Sequence, residues 1–241
     1  MVTGGSSGVG KATVQALISE GVRVTAVARS ADKLQALEAE IGGGVATLRG
    51  DASDPALAER VLRELRPDLV VLAAGVTPRM GTLDELDWEV FSEPWNGDLK
   101  SSFHFMKQAL TLPLRPGSTV VVVSSGAAIQ GSPLSGGYAG AKRMQWWLTG
   151  YAQKLSDAKQ LGIRTLAVLP KQFIEGTTIG ARAAAAYGAL SGITAEAVMK
   201  RFEVPLDADK VASTILTALR GDVPAGVNAI AVTGAGFEPL P

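Results

Sequence analysis

Short runs of apolar residues recur along this chain and alternate with longer stretches of helical periodicity. The runs are Val22 to Ala28, Val45 to Leu48, Leu69 to Ala73, Thr119 to Val123, Ile163 to Leu169 and Ala229 to Val232. They are rich in valine and show no polar face, the pattern of strands covered on both sides in a parallel sheet. The segments between them carry helix signals. A helix from Val9 to Glu20 stops at Gly21, Asp54-Pro55 supplies an N-cap and a first-turn proline, and Asp207 caps a helix that runs to Arg220 before Gly221. Strand and helix alternate throughout, which predicts an α/β fold: a doubly wound parallel sheet in three layers with right-handed crossovers.

No linker or convincing repeat interrupts the pattern, so residues 1–241 are expected to form one domain. Residues 174–204 fall outside the regular alternation and form a candidate substrate lid within it, centred on Tyr187 to Met199. The first strand is the anomaly. A strand that feeds a glycine-rich loop is normally central in the sheet and needs about 5 residues, yet only Met1 and Val2 precede Thr3. A stub would leave its neighbours' ladder groups unpaired, so the expectation is that a few upstream residues are missing and that the first strand is shortened.

The loop that follows carries the first chemistry. Gly4, Gly8 and Gly10 sit where a strand gives way to a helix, so backbone amides and the positive end of the helix dipole can face a pyrophosphate. The second strand ends Val27-Ala28-Arg29-Ser30 with no acidic residue to hold a ribose 2′-hydroxyl. Arg29 suits a 2′-phosphate instead, with Lys33 one helical turn further on, and this favours NADP over NAD. Asp51, after the third strand, is placed to approach the adenine.

Composition narrows the partners. Twenty-three Lys and Arg balance 23 Asp and Glu, so no basic field attracts nucleic acid or an anionic membrane surface. There is no cysteine, which excludes a disulfide framework, a thiolate metal site and a catalytic thiol, and suits a reducing cytoplasm. His104 is the only histidine and cannot assemble a metal site by itself. No apolar run approaches the roughly 20 residues of a membrane span. The expected ligand is a small molecule, and any redox chemistry belongs to a bound cofactor.

Tyr138 and Lys142, at i and i+4, share one face of a helix, which brings an ammonium toward a phenol. A nearby cation stabilises phenolate and draws Tyr138 toward the range in which it donates and recovers a proton. Ser125 follows the fifth strand, at the carboxyl edge where such sheets bind ligands, and its hydroxyl is placed to hold the substrate oxygen.

Taken together, Thr3-Gly4-Gly5-Ser6-Ser7-Gly8-Val9-Gly10, Ala73-Ala74-Gly75, Ser124-Ser125 and Tyr138-x-x-x-Lys142 resemble the short-chain dehydrogenase/reductase family. The resemblance covers nearly the whole chain and is to the smaller single-domain type. It implies a Rossmann fold and an oxidoreductase that interconverts a carbonyl and an alcohol. It also implies cofactor contacts from Gly4, Ser6, Ser7, Gly8, Val9, Ala52, Ala74, Gly75, Phe173 and Thr177, a ribose contact from Lys142, and a homodimer or homotetramer paired through the helix of Trp146 and Trp147. Two positions depart from the family pattern. Asp98 stands where an asparagine usually holds a relay water through its carbonyl, unless a shifted register brings in Asn96. After the sixth strand, Pro170-Lys171 replaces Pro-Gly and Glu175 takes a usual threonine position, leaving Thr177 or Thr178 to reach the carboxamide. The combined reading is an NADP-preferring oxidoreductase acting on a small, largely apolar carbonyl or alcohol. A non-catalytic regulatory or scaffolding protein on the same fold, or an epimerase or lyase that uses the nucleotide transiently, is the alternative.

Overall fold

The computed structural model describes every residue of the chain except Ala225. Eight strands form one sheet: β1 (Val2–Thr3), β2 (Val24–Ala28), β3 (Val45–Arg49), β4 (Leu69–Leu72), β5 (Thr119–Val123), β6 (Arg164–Pro170), β9 (Ala229–Thr233) and β10 (Gly236–Pro239), in the order β10-β9-β6-β5-β4-β1-β2-β3. All neighbours are parallel except β10, which returns antiparallel to β9. A second, two-stranded sheet pairs β7 (Ile174–Glu175) with β8 (Leu206–Asp207). These two pieces break the strict alternation expected from the sequence.

Successive strand residues point to opposite faces, which makes the three layers. Val121 and Val123 face one side with Val71, Leu166 and Val168, under α1 (Gly8–Ser19), α2 (Ala31–Ile41) and α10 (Ala208–Leu219). Val120 and Val122 face the other with Val70 and Leu72, where Phe105 of α5 (Lys100–Thr111) and Val61 of α3 (Pro55–Leu65) are fully buried. The helix starts are capped as anticipated: the Asp54 carboxylate accepts from the Ala56 amide and the Asp207 carboxylate from the Lys210 amide.

Short as it is, β1 is paired on both sides. Val2 lies opposite Ala26 and Val71, Thr3 opposite Val27 and Leu72, and the Val71 amide donates to the Met1 carbonyl at 2.9 Å. Pairing on both sides runs through these two residues, and the first strand is shortened as expected. The second strand begins at Val24 rather than Val22, because the Val22 amide is used to close the end of α1 on the Leu17 carbonyl.

The turn out of β1 is held by backbone against backbone. A Cβ added at Gly10 would sit 2.3 Å from the Gly4 carbonyl oxygen, so the first turn of α1 can lie on the loop only if residue 10 has no side chain. Replacing Gly10 by alanine forces the helix off the loop and should cost about 1–3 kcal/mol of stability, read as a lower urea midpoint. An unchanged midpoint would show that α1 is not seated on this loop.

Candidate active site

A cleft of about 840 Å³ opens along the carboxyl ends of the central strands, and a smaller pocket of about 170 Å³ continues from it over β2 and β3. Gly4, Ser7, Gly75 and Lys33 line both. The first turn of α1, at Gly8, Val9 and Gly10, lines the cleft, and the Ser7 side chain at its start makes no capping bond. First-turn amides without a side-chain acceptor, beside glycines, fit the pyrophosphate of a dinucleotide. Ser6, Arg29, Asp51, Ala52 and Ala74 line the smaller pocket, which therefore fits the adenosine half. The Ser53 backbone N–H holds the Asp51 carboxyl below its usual pKa, with the Ser53 hydroxyl, Arg29 and Lys100 adding to the effect. Arg29 is exposed at the rim. The Arg49 guanidinium donates to its carbonyl at 3.3 Å, a second cation at this corner that sequence spacing did not reveal.

The catalytic end is built where three elements meet. Tyr138 opens α7 (Tyr138–Ala158) and is buried, with Lys142 Nζ 5.4 Å from the centre of its ring. Ser125 lies two residues beyond β5, and its hydroxyl accepts from the Ala127 amide. The start of α7 is braced by Trp95, whose indole N–H donates to the Gly137 carbonyl at 3.0 Å.

Asp98 comes from a feature that the sequence pattern did not predict. The segment from α4 (Trp88–Pro94) to α5 is one continuous helix interrupted by a π-helical turn at Trp95–Leu99. Pro94 has no amide hydrogen to give to the α-helical ladder, and the widened turn follows it directly. The turn points the Asp98 side chain into the core, with Oδ2 2.9 Å from Lys142 Nζ and Oδ1 accepting from the Val76 amide at 2.7 Å. The Asp98 carbonyl accepts from Gln145 Nε2 at 2.9 Å. Asn96, the alternative, is exposed on the same π-helical turn.

The electrostatics follow from burial and these partners. Burial raises the Tyr138 pKa; Lys142 and the Ser125 hydroxyl pull it down while Asp98 pushes it up, and the balance lies above the usual phenol value. For Lys142, burial opposes the charge, but Asp98 and the neighbouring phenol outweigh it and raise the ammonium's pKa.

At the substrate end, Phe173 stacks on Tyr187 at 5.9 Å and meets Phe202 edge-on at 6.1 Å. These rings come from the segment after β6 and from the α8 (Thr178–Ser191) and α9 (Ala195–Met199) region. The Tyr187 hydroxyl lies 2.8 Å from the Ser132 hydroxyl across the cleft. The Thr177 hydroxyl caps α8, accepting from the Gly180 amide and donating to the Ile174 carbonyl. Lys171, which lines the cleft, pairs with Glu238 of β10 at 2.8 Å, and Glu175 is exposed in β7. His104 stands apart on α5, its pKa lowered by burial and by Lys100 and Lys107. Among the described residues no group of three or more His, Cys, Asp or Glu side chains could hold a metal ion, and no helix is long and apolar enough to cross a membrane.

Residues 1–198 match the family model described as short chain dehydrogenase. The chain is 29% identical over 181 residues to 2,5-dichloro-2,5-cyclohexadiene-1,4-diol dehydrogenase of Sphingobium indicum, covering 70% of each protein. It is 27% identical over 242 residues to cis-2,3-dihydrobiphenyl-2,3-diol dehydrogenase of a Pseudomonas species, covering 92% of this chain and 84% of that one. Among solved structures, a variant of actinorhodin polyketide ketoreductase with NADPH superposes with a TM-score of 0.81 at 25% identity, over 97% of this chain and 95% of the other. A matched model over most of the length, a Rossmann sheet and a cleft shaped for a dinucleotide agree: this chain belongs to the short-chain dehydrogenase family and is an oxidoreductase of that family.

Proposed function

We propose that this protein is an NADP-preferring oxidoreductase that interconverts a carbonyl and an alcohol on a small, largely apolar substrate. The observation that carries the reading is the buried Tyr138 with Lys142 beneath its ring and Ser125 beside it, in a cleft continuous with the glycine loop. NADPH, when bound, supplies hydride to the carbonyl carbon and leaves as NADP⁺. Ser125 holds the carbonyl oxygen, and Tyr138 gives that oxygen its proton, so the product is the alcohol. Lys142 stabilises the phenolate left behind and donates a hydrogen bond to the ribose; solvent then restores the phenol proton. In the oxidative direction each transfer reverses.

Arg29 and Lys33 beside the smaller pocket, with no acid at the end of β2, support the preference for NADP. Gly4, Ser6, Ser7, Gly8, Val9, Ala52, Ala74, Gly75, Phe173 and Thr177 complete the proposed cofactor contacts. Met80, Pro133, Phe173, Tyr187, Val198 and Phe202 line the remaining space and suit an apolar carbonyl compound. Residues 174–204 act as the lid over it. Trp147, Tyr151 and Leu155 repeat at four-residue spacing along α7 and are 47%, 55% and 41% exposed. A stripe of this kind supports pairing of two copies through this helix, as a homodimer or homotetramer.

Tyr138→Phe should lower turnover of NADPH with a responsive carbonyl by about 10²–10⁴-fold while NADPH binding, followed by fluorescence, stays close to wild type; wild-type turnover would overturn the assignment. Arg29→Ala should raise KM for NADPH about tenfold and leave KM for NADH unchanged, since one lost charge-assisted contact to a phosphate is worth about 1.5–3 kcal/mol. Equal effects on both cofactors would remove Arg29 from the 2′-phosphate site. Light scattering should give a dimer or tetramer for the wild type and a monomer for the Trp147→Glu, Tyr151→Glu double variant; a monomeric wild type would reject pairing through α7.

A further inference from the structure

We propose that Asp98 is a positioning residue for proton transfer, whose carboxylate offsets the charge of Lys142 so that Tyr138 stays a phenol, the form that protonates a carbonyl. The inference rests on the oxidoreductase reading and adds to it a bias toward reduction.

The geometry is specific. Asp98 is fully buried and Lys142 is 6% exposed, so water screens the pair only weakly. Asp98 Oδ2 has no aligned hydrogen-bond donor and faces Lys142 Nζ alone, while Oδ1 is held by the Val76 amide. A Cβ at residue 75 would lie 2.7 Å from Oδ2, so Gly75 leaves the carboxylate its place. Lys142 Nζ also donates to the Val123 carbonyl, which keeps the ammonium within reach of both Asp98 and the phenol.

No other charge around Tyr138 substitutes for this pair. On α7, Arg143 is drawn over Trp146 at 4.3 Å and bonds the Ala128 carbonyl. Beyond β6, Lys171 is paired with Glu238. From the α8 and α9 region come the Tyr187 hydroxyl, bonded to Ser132, and Arg201, which is exposed. Lys33 lies at the glycine-loop end of the cleft, and Ser125 is uncharged.

The sign is determined by Coulomb's law. Deprotonation of Tyr138 creates an anion that Lys142 attracts and Asp98 repels; with the carboxylate present, much of the attraction is cancelled. Carbonyl reduction uses the phenol, and alcohol oxidation uses the phenolate as base. Burial holds Tyr138 toward the phenol, and Asp98 adds to that bias by offsetting Lys142, which favours reduction over oxidation.

The test is the titration of Tyr138, read as phenolate absorbance of the cofactor-free protein minus that of Tyr138→Phe, which removes the signal of Tyr151 and Tyr187. In Asp98→Asn the phenolate should form about one pH unit or more below its wild-type midpoint, and alcohol oxidation at about pH 7 should rise about tenfold relative to reduction. An unchanged titration, with only a lower unfolding midpoint, would overturn the proposal and leave Asp98 a structural residue. If Asp98→Asn does not fold, Asp98→Ser takes its place: a Tyr138 phenolate midpoint about one pH unit or more below wild type supports the proposal, and an unchanged midpoint overturns it. The titration needs neither substrate nor dinucleotide, so it stands even if a carbonyl panel gives no turnover and the oxidoreductase reading fails.

Discussion

A single buried cation organises the working half of this molecule. Lys142 carries its ammonium to the nearly buried wall of the cleft, and an unpaired charge there costs several kcal/mol. The surroundings answer it with the Asp98 carboxylate and the Val123 carbonyl, while the Ser124 hydroxyl ties down the Lys142 backbone carbonyl. Those contacts join α7, the end of β5 and the π-turn before α5. Tyr138 is held by the same arrangement, because it stands one helical turn before Lys142.

The π-turn is the structural cost of that arrangement. An unbroken α-helix from Trp88 to Thr111 would aim residue 98 elsewhere; the widened turn after Pro94 swings it inward and brings its carbonyl to Gln145. Gln145 also donates to the Ser102 hydroxyl, but its own side-chain oxygen is buried without a partner. Unpartnered buried polar atoms such as this and Asp98 Oδ2 cluster behind the Tyr138 end of the cleft. The far end is the opposite: apolar rings of Phe173, Tyr187 and Phe202 pack on one another, and one hydroxyl pair, Tyr187 with Ser132, spans the opening.

Much of the fold was legible from local pattern. Most of the valine-rich runs are interior parallel strands as expected, whereas Val45–Arg49 is an edge strand with no buried residue; the Asp54 and Asp207 caps bond where their positions required. The exceptions have physical reasons. The antiparallel β10 is set by pairing with β9, and the β7–β8 sheet joins segments more than thirty residues apart, so neither has a local signature. The central β1 pairs with β2 and β4 through Val2 and Thr3, and its neighbours in the sheet are set by long-range pairing that no local pattern encodes.

The sequence by itself determined the sheet, the glycine loop and the shared face of Tyr138 and Lys142, because these depend on spacings of two, four and a few residues along one chain. Only the tertiary structure decided which charge meets which. Asp98 and Lys142 are 44 positions apart and Lys171 and Glu238 are 67 apart, yet the first pair is buried beside the phenol and the second is exposed to solvent. Coulomb energy and desolvation depend on distance in space and on the exclusion of water. Neither quantity is written in sequence separation.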